Sequence, residues 1–150
     1  MNINIKKLYT DANIPTNGSE YAAGSDLYAN LPIDRITIMA GGTVKIGTGV
    51  AVEIPEGYFG AVFARSGLAT KRGLRPANCV GVIDADYRGE IIVALHNDTN
   101  NDVEIVNGDR IAQLVIMPYL KAEFNEVAEL SDSQRGSGGF GSTGVSKKQQ

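Results

Sequence analysis

Short runs of alternating polar and apolar residues are the feature that most constrains how this chain can fold. Gly, Pro, Asn and Asp interrupt these runs about every 8–12 residues, which is the spacing of strands and turns in a sandwich or barrel. The alternation is clearest at residues 35–38, 43–46 and 50–54. We therefore predict an all-β fold, with further strands at 58–64, 79–83, 90–96, 103–106, 111–117 and 121–127.

Two segments have a different pattern. Residues 91–95 and 114–117 are almost continuously apolar, which is typical of strands buried on both faces. Residues 66–72, SGLATKR, are the one segment that favours a helix, with Ser66 as its N-cap. Cys79 lies in an apolar stretch and is expected to be buried. His96 is expected at the surface, with its hydrogen bonds satisfied.

A single cysteine and a single histidine limit the chemistry open to the chain. They exclude an intrachain disulfide and a structural zinc site built from cysteine and histidine. Any hydrolytic chemistry is therefore expected to rest on carboxylates and a hard metal ion. The net charge of −3 over 150 residues argues against a nucleic-acid partner, because binding phosphates along a duplex needs a basic face.

The length and hydropathy of the chain predict one globular domain away from membranes. No run reaches the about 18 apolar residues of a transmembrane helix. The N-terminus, MNINIKKLYT, lacks the apolar stretch of a secretory signal. A single cysteine also suits a reducing compartment, so we expect a cytoplasmic protein with no membrane partner.

The composition changes after Leu130, which divides the chain into a β domain at 1–130 and a glycine-rich arm at 131–150. One interpretation is a flexible tail without a role of its own. The other is a lid for a nucleotide, because glycine N–H groups, hydroxyls and Arg135 can bind phosphate, and Phe140 can stack on a base. Composition alone leaves both open.

Two further segments carry groups suited to a phosphate ester. Arg65, Ser66 and Gly67 open the candidate helix, where they could bind an anion or form an ordinary helix cap. Asp84 and Tyr87 lie in a predicted hairpin loop between Ile83 and Glu90. A carboxylate there could position a water molecule for attack, but aspartates are also common turn formers. Neither segment is decisive alone.

Five segments, in this order, resemble the five motifs of the trimeric deoxyuridine triphosphatase (dUTPase) family. They are AAGSDL at 22–27, ARSGLATKRGL at 64–74, NCVGVIDADYRGEI at 78–91, GDRIAQL at 108–114 and RGSGGFGSTG at 135–144. The resemblance implies a jelly-roll-like β-sandwich or barrel and a homotrimer with sites at subunit interfaces. It also implies Mg²⁺-dependent hydrolysis of dUTP to dUMP and pyrophosphate, which limits uracil in DNA and supplies dUMP for dTMP synthesis.

The resemblance assigns the third motif to the reacting centre and the nucleoside. Asp84 would position the water that attacks the α-phosphorus. Tyr87 would pack beneath the deoxyribose and exclude a 2′-hydroxyl by steric clash. The uracil would be recognised by the Asn78 amide and by backbone groups of the hairpin, with help from its second strand; these groups belong to Val82, Ile83, Asp84 and Ile92.

The other motifs are assigned to the phosphates. Asp26 would support the metal indirectly through water, or would order Arg65. The phosphate-binding residues of the second and fourth motifs would be Arg65, Ser66, Gly67 and Gln113. The mobile arm would close over a site formed largely by other subunits, using Arg135, Phe140, Gly141, Ser142 and Thr143.

One residue departs from the family pattern. Ala64 stands where many members have proline, and alanine could loosen the turn before Arg65 without removing a functional group.

Two alternative functions remain. A deoxycytidine triphosphate deaminase-like enzyme would need a glutamate at the ring and lacks this Asp-x-x-Tyr arrangement. A non-catalytic dUTP sensor would have no need of Asp84.

Overall fold

The computed structural model describes residues 1–139, and within them the chain forms twelve β-strands and one helix. The prediction of an all-β, jelly-roll-like fold with one short helix is confirmed. The strands are β1 Asn4–Lys7, β2 Thr16–Asn17, β3 Ser25–Tyr28, β4 Arg35–Ile38, β5 Thr43–Gly47, β6 Val50–Glu53, β7 Tyr58–Phe63, β8 Leu74–Pro76, β9 Val80–Ile83, β10 Ile92–Asn97, β11 Val103–Val106 and β12 Arg110–Pro118; the helix α1 is Ser66–Arg72.

The strands form four antiparallel sheets. The largest has the order β2-β3-β12-β7-β9, and a three-stranded sheet has the order β5-β10-β8. Two further pairs are β1 with β6 and β11 with β4. No helix within residues 1–139 combines the length and the hydrophobicity needed to span a bilayer.

One hydrophobic core joins the sheets. Its fully buried members include Leu27 of β3, Leu95 of β10, Ile105 of β11 and Ile111 of β12. Burying a side chain of this size stabilises the fold by roughly 1.5–3 kcal/mol. Because these residues come from strands of different sheets, the core fixes how the strands that carry the first four motifs are placed.

Most predicted strands are confirmed, and the bounds agree most closely for strands with alternating polar and apolar residues. The strands at 35–38 and 103–106 have the predicted bounds and pair with each other, with Ile36 opposite Ile105. The strands β1, β2, β3 and β8 were not predicted, because each has only two to four residues and too little alternation to be recognised.

The helix is confirmed at 66–72, but the prediction that Ser66 is its N-cap was wrong. Arg65 occupies the N-cap position with extended backbone, and no side chain caps the helix. Ser66 is the first helical residue. The helix ends at Gly73, whose left-handed φ of 63° allows its N–H to reach the Leu68 carbonyl.

The prediction of a hairpin around residues 83–90 was also wrong, because the two flanking strands are not hydrogen-bonded to each other. Strand β9 pairs with β7, whereas β10 is bonded on both sides, to β5 and β8. The partners of β10 are therefore β5 along Ile92–His96 and β8 along Leu95–Asn97, and β9 is not among them. The intervening residues form a loop that crosses from one sheet to another.

Two predictions about apolar runs need correction. Strand β10 is not buried on both faces: Val93 and Leu95 face the core, while Ile92 is 51% exposed. Likewise, Leu114 is buried but Met117 of the same strand is exposed. A strand with one open face can carry apolar residues on both sides when that face is covered by another chain.

No strand forms at 121–127, contrary to the prediction. Strand β12 has already ended at Pro118, and in the described part of the chain no strand lies alongside the segment. The apolar side chains of Leu120 and Phe124 are therefore each 95% exposed.

Cys79 is exposed, which contradicts the expectation of a buried side chain. It has a left-handed φ of 61° in a tight turn before β9, where its N–H donates to the Pro76 carbonyl. His96 has partners, as expected, but it is half-buried rather than at the surface: its Nδ1 lies 2.9 Å from Thr43 Oγ1, and its Nε2 lies 3.4 Å from Asp98 Oδ1. Asp98 also accepts a hydrogen bond from Arg75 and raises the pKa of that guanidinium.

Candidate active site

A nearly buried carboxylate joins the first, second and fourth motifs. Asp26 Oδ1 accepts a hydrogen bond of 2.7 Å from Arg65 Nε, and Asp26 Oδ2 accepts one of 3.2 Å from Arg110 Nη1. The Asp26 side chain is 11% exposed, against 27% for Arg65 and 50% for Arg110. A carboxylate this buried needs partners, and the two guanidinium groups supply them.

Gln113 lies beside this cluster, directly opposite Asp26 in the pairing of β12 with β3. Its Nε2 donates to the Ala64 carbonyl at 2.9 Å. Gly24 packs against the same amide, since a Cβ there would lie 2.7 Å from Gln113 Oε1. In this structure Gln113 therefore fixes the turn that precedes Arg65, and its second amide hydrogen remains for another acceptor.

These residues line a cavity of about 240 Å³. Ser66 and Gly67 are exposed at its wall, and a Cβ on Gly67 would meet no atom within 4 Å. Packing within the chain therefore does not require glycine at that position. The full lining is Gly18, Ala22, Gly24, Asp26, Arg65, Ser66, Gly67, Arg110 and Gln113.

The third motif forms a tight turn with an exposed carboxylate. The Tyr87 N–H donates to the Asp84 carbonyl at 3.1 Å, and the Asp84 side chain is open to solvent. The Tyr87 hydroxyl donates to the Glu90 carbonyl at 2.9 Å. Gly89 lies against the Tyr87 ring, because a Cβ there would be 2.6 Å from Cζ. The ring is therefore held beside the turn while 43% of the residue stays exposed.

The backbone that leads to Asp84 is also accessible. Strand β9 is the edge of its sheet, so alternate residues direct their N–H and C=O groups away from β7. Val82 of this strand is 61% exposed, and Ile83 is half-buried. The Asn78 amide lies over the strand, with Nδ2 3.5 Å from the position of a Cβ on Gly81. Exposed Ile92 follows on β10.

The two groups of residues are far apart within one chain. In the pairing of β7 with β9, Phe63 lies opposite Val80, and Gly60 lies opposite Ile83. Arg65 therefore follows one end of β7, whereas Asp84 lies near the other end, at the level of Phe59. Six residues separate the two levels, which corresponds to about 20 Å along an extended strand.

The fifth motif is described only in its first part. Arg135 is exposed, and its Nε donates to the Gly138 carbonyl at 2.8 Å. The predicted site residues Phe140, Gly141, Ser142 and Thr143 lie outside the described residues.

Within residues 1–139, no group of three or more His, Cys, Asp or Glu side chains is placed to hold a metal ion. Arg110 is the residue of the Asp26 cluster that the sequence did not single out. The GDR turn can be recognised in the sequence. In a regular strand, however, side chains three residues apart point to different faces, so Arg110 and Gln113 would not be expected on the same side of the sheet.

Comparisons with known proteins agree with these motifs. The dUTPase family model matches residues 10–144. The deoxyuridine 5'-triphosphate nucleotidohydrolase of Nautilia profundicola is 50% identical over 144 residues, which cover 96% of this chain and 99% of the relative. That of Desulfitobacterium hafniense is 52% identical over 134 residues, covering 89% and 88%.

Solved structures give the same result. The Staphylococcus bacteriophage 80alpha dUTPase with dUPNHPP matches with a TM-score of 0.86 and 32% identity, covering 96% of this chain and 99% of that one. A variant of the dUTPase from phage phi11 of S. aureus, described as revealing the coordination of a structural Mg(II) ion, has a TM-score of 0.76 and 26% identity, covering 86% and 98%.

Proposed function

This chain belongs to the dUTPase family and is a dUTP diphosphatase, and we propose that Asp84 directs the water that cleaves its substrate. The oxygen of this water attacks the α-phosphorus of dUTP while Asp84 takes up the proton. The bond between the α-phosphorus and the oxygen bridging to the β-phosphorus breaks, which gives dUMP and pyrophosphate. The observation that carries the proposal is the exposed Asp84 carboxylate on a fixed turn beside the free edge of β9.

The same edge suits recognition of uracil. The outward-facing backbone groups within Val82, Ile83 and Asp84, together with the Asn78 amide, offer donors and acceptors that can pair with a pyrimidine edge. Exposed Ile92 completes the wall of this pocket. A close wall excludes the methyl group of thymine by steric clash, because thymine offers the same hydrogen-bonding groups as uracil.

Tyr87 selects the sugar. Its ring is held by the hydrogen bond to Glu90 and by contact with Gly89, so it has little room to withdraw. A ring pressed against C2′ leaves no space for a ribose hydroxyl.

The cavity around Asp26 binds the phosphates. Arg65 provides a fixed guanidinium, and Ser66 and Gly67 provide a hydroxyl and a backbone open to close approach. Gln113 keeps the turn before Arg65 in place and has one amide hydrogen left for a phosphate oxygen. Of the two roles expected for Asp26, the ion pair with Arg65 favours the ordering of that arginine over support of the metal.

Mg²⁺ fits this arrangement as an ion bound by the triphosphate and water. Both Asp26 oxygens accept guanidinium hydrogen bonds, yet each keeps a lone pair that could accept from a metal-bound water. The ion would neutralise the charge that develops on the leaving pyrophosphate.

Each site is shared between copies of the chain. A general base must lie within about one water molecule of the reacting atom, yet Asp84 and Arg65 are separated by the length of β7. The Asp84 end of one copy must therefore meet the Arg65 end of another. Such a head-to-tail contact can close into a ring, and the family likeness supports a ring of three copies.

The arm at 131–150 closes the site in this proposal. Arg135 binds the γ-phosphate, Phe140 covers the uracil, and Gly141, Ser142 and Thr143 assist at the phosphates. Closure excludes water other than the nucleophile. The cellular role is then to limit uracil in DNA and to supply dUMP for dTMP synthesis, and a cytoplasmic location stays a prediction.

A direct assay tests the function. Purified protein with Mg²⁺ is given dUTP, dCTP, dTTP or UTP, and released pyrophosphate and ammonia are measured. We expect pyrophosphate from dUTP alone. Ammonia from dCTP would indicate the deaminase alternative, and binding of dUTP without pyrophosphate release would indicate the sensor.

A further inference from the structure

The turn that carries Asp84 is held by the side chain of Arg88. Arg88 Nη1 donates to the Ala85 carbonyl at 2.6 Å and to the Tyr87 carbonyl at 3.0 Å. These two bonds join the middle of the turn to its last residue. In the part of the chain that the structure describes, no other side chain donates to a carbonyl of residues 84–87.

The backbone alone gives this turn little support. Residues 84–91 connect β9 to β10 and lie in neither of the two sheets. The backbone bond that closes the turn, from the Tyr87 N–H to the Asp84 carbonyl, is 3.1 Å long. An exposed segment with few hydrogen bonds opens locally at a low cost in free energy. Because the direction of the Asp84 side chain follows from the backbone of the turn, such opening would move the carboxylate.

Arg88 is itself anchored to the β domain. Its Nη2 lies 3.6 Å from Glu53 Oε1 of β6, and Glu53 Oε2 accepts a hydrogen bond of 2.7 Å from Asn4 Nδ2. Asn4 and Glu53 are directly opposite each other in the pairing of β1 with β6, so the strand register places the carboxylate. A chain of contacts therefore runs from the first strand to the Asp84 turn.

Global stability does not account for this arrangement. The side chains of Arg88 and Glu53 are each 53% exposed, and exposed ion pairs contribute little to the free energy of unfolding. The hydrogen bonds of Arg88 instead fix the shape of a single turn. The position of a reacting group matters far more, because a displacement of about 1 Å can cost about a hundredfold in rate.

We propose that Arg88 is a positioning residue for Asp84, held in place by Glu53 and Asn4. The inference rests on the proposed function, because it takes Asp84 as the group that directs the attacking water. Arg88 contacts no reacting atom: its guanidinium binds the carbonyls of the turn, and the turn directs the carboxylate. The carboxylate is then aligned before the substrate arrives.

Steady-state kinetics with dUTP test this role in the full-length protein. Arg88→Ala should lower kcat by about tenfold to a hundredfold, while KM changes by less than about twofold. Arg88→Lys should recover most of kcat, since an ammonium still donates to both carbonyls. Added to Asp84→Asn, Arg88→Ala should lower the residual kcat no further, because the group that it positions has lost its function.

The anchor is tested in the same assay. Glu53→Ala leaves the hydrogen bonds of Arg88 to the turn in place, so its loss of kcat should be smaller than that of Arg88→Ala. The double variant should be no slower than Arg88→Ala alone, because both changes act through one contact. Losses that multiply in the double variant would contradict the anchoring by Glu53.

Amide hydrogen exchange, measured by NMR, gives a readout that does not depend on activity. The Tyr87 N–H closes the turn, so its exchange should be about fivefold faster or more in Arg88→Ala. The amides of β10 should keep their exchange rates, which separates loosening of the turn from general damage to the fold.

The matched control is Arg35→Ala. Arg35 also forms an exposed ion pair, at 3.2 Å with Glu104, but across β4 and β11 rather than to the turn. This variant should keep both kcat and the exchange rate of the Tyr87 amide. An unchanged kcat in Arg88→Ala, or a KM that rises while kcat holds, would overturn the inference. An unmodified chain that binds dUTP but releases no pyrophosphate would instead contradict the proposed function.

Discussion

Arg65 and Asp84 stand at opposite ends of strand β7, about 20 Å apart along its axis. The first is fixed by Asp26 at the wall of a positively charged cavity, and the second is exposed on a turn beside a free strand edge. Each end offers half of what hydrolysis of a nucleoside triphosphate requires. The account therefore depends on two copies of the chain bringing these halves together.

Replacing the proposed base should remove chemistry and spare binding. Asp84→Asn keeps the shape of the turn but cannot accept the proton, so kcat should fall by about a hundredfold to ten-thousandfold. The affinity for a dUTP analogue with an imido bridge should stay unchanged. Asp86→Asn is the matched control on the same loop and should keep kcat. Turnover near normal in Asp84→Asn would refute the assignment.

Removing the Tyr87 ring should relax sugar selection. Tyr87→Ala opens the space beneath C2′, so the ratio of kcat/KM for dUTP to that for UTP should fall by about tenfold or more. Tyr87→Phe keeps the ring and loses only the hydrogen bond to Glu90, so it should still reject UTP. If Tyr87→Ala also rejects UTP, another group discriminates the sugar.

Truncation should separate the arm from the domain. A chain that ends before Arg135 should lose most of its turnover and still form the trimer, as measured by light scattering. A chain that ends at Gly144 keeps the fifth motif and loses only VSKKQQ, so it should keep its activity. Unchanged kinetics in the chain that ends before Arg135 would support the other interpretation, in which residues 131–150 are a flexible tail without a role of their own.

The fully buried Asn97 should be a stability determinant. Its Nδ2 donates to the carbonyls of Ile38, Met39 and Asn101, and its Oδ1 accepts from the N–H and hydroxyl of Thr99. Asn97→Ala removes these five hydrogen bonds at a fully buried position and takes away the acceptor of the Thr99 N–H, so it should lower the free energy of unfolding by about 3 kcal/mol.

Chemical denaturation, monitored at fixed protein concentration, measures this loss. Asn101→Ala is the control, because Asn101 is exposed and its described contacts use only its backbone. An Asn97→Ala variant as stable as this control would contradict the role given to the buried amide.

The sequence predicted strands where burial on one face imposes alternation. Ile36 and Ile38 of β4 point inward between polar residues, so their period was visible without any tertiary information. The short strand β3 was missed, because SDLY contains a nearly buried aspartate whose burial depends on two arginines distant in sequence.

Apolar runs were less informative, because hydrophobicity alone does not indicate which strand or which chain packs against a segment. Residues 121–127 were predicted as one more β-rich run, but Phe124 has no partner strand within the described residues. Ile92 was expected to be buried and is exposed in the single chain. Contacts with a second copy cannot be inferred from the periodicity of one.

The site was predicted from ordered motifs rather than from chemistry at single positions. The motifs indicated Asp26, Arg65 and Gln113, which the structure brings to one cavity. They did not indicate Arg110, since a one-residue bulge changes which face a side chain occupies and leaves no mark in the sequence. The distance between Arg65 and Asp84 likewise depends on the register of β7 and β9.

Mixing two inactive variants tests the shared site most directly. Chains carrying Arg65→Ala and chains carrying Asp84→Asn are co-expressed in equal amounts with different tags, and pyrophosphate release from dUTP is measured on the mixed assemblies. The control mixes the unmodified chain with the double variant in the same ratio. If each site takes Arg65 from one copy and Asp84 from another, both mixtures should have about a quarter of full activity. No activity in the first mixture, with about half in the control, would mean that one chain supplies both residues and would contradict the account.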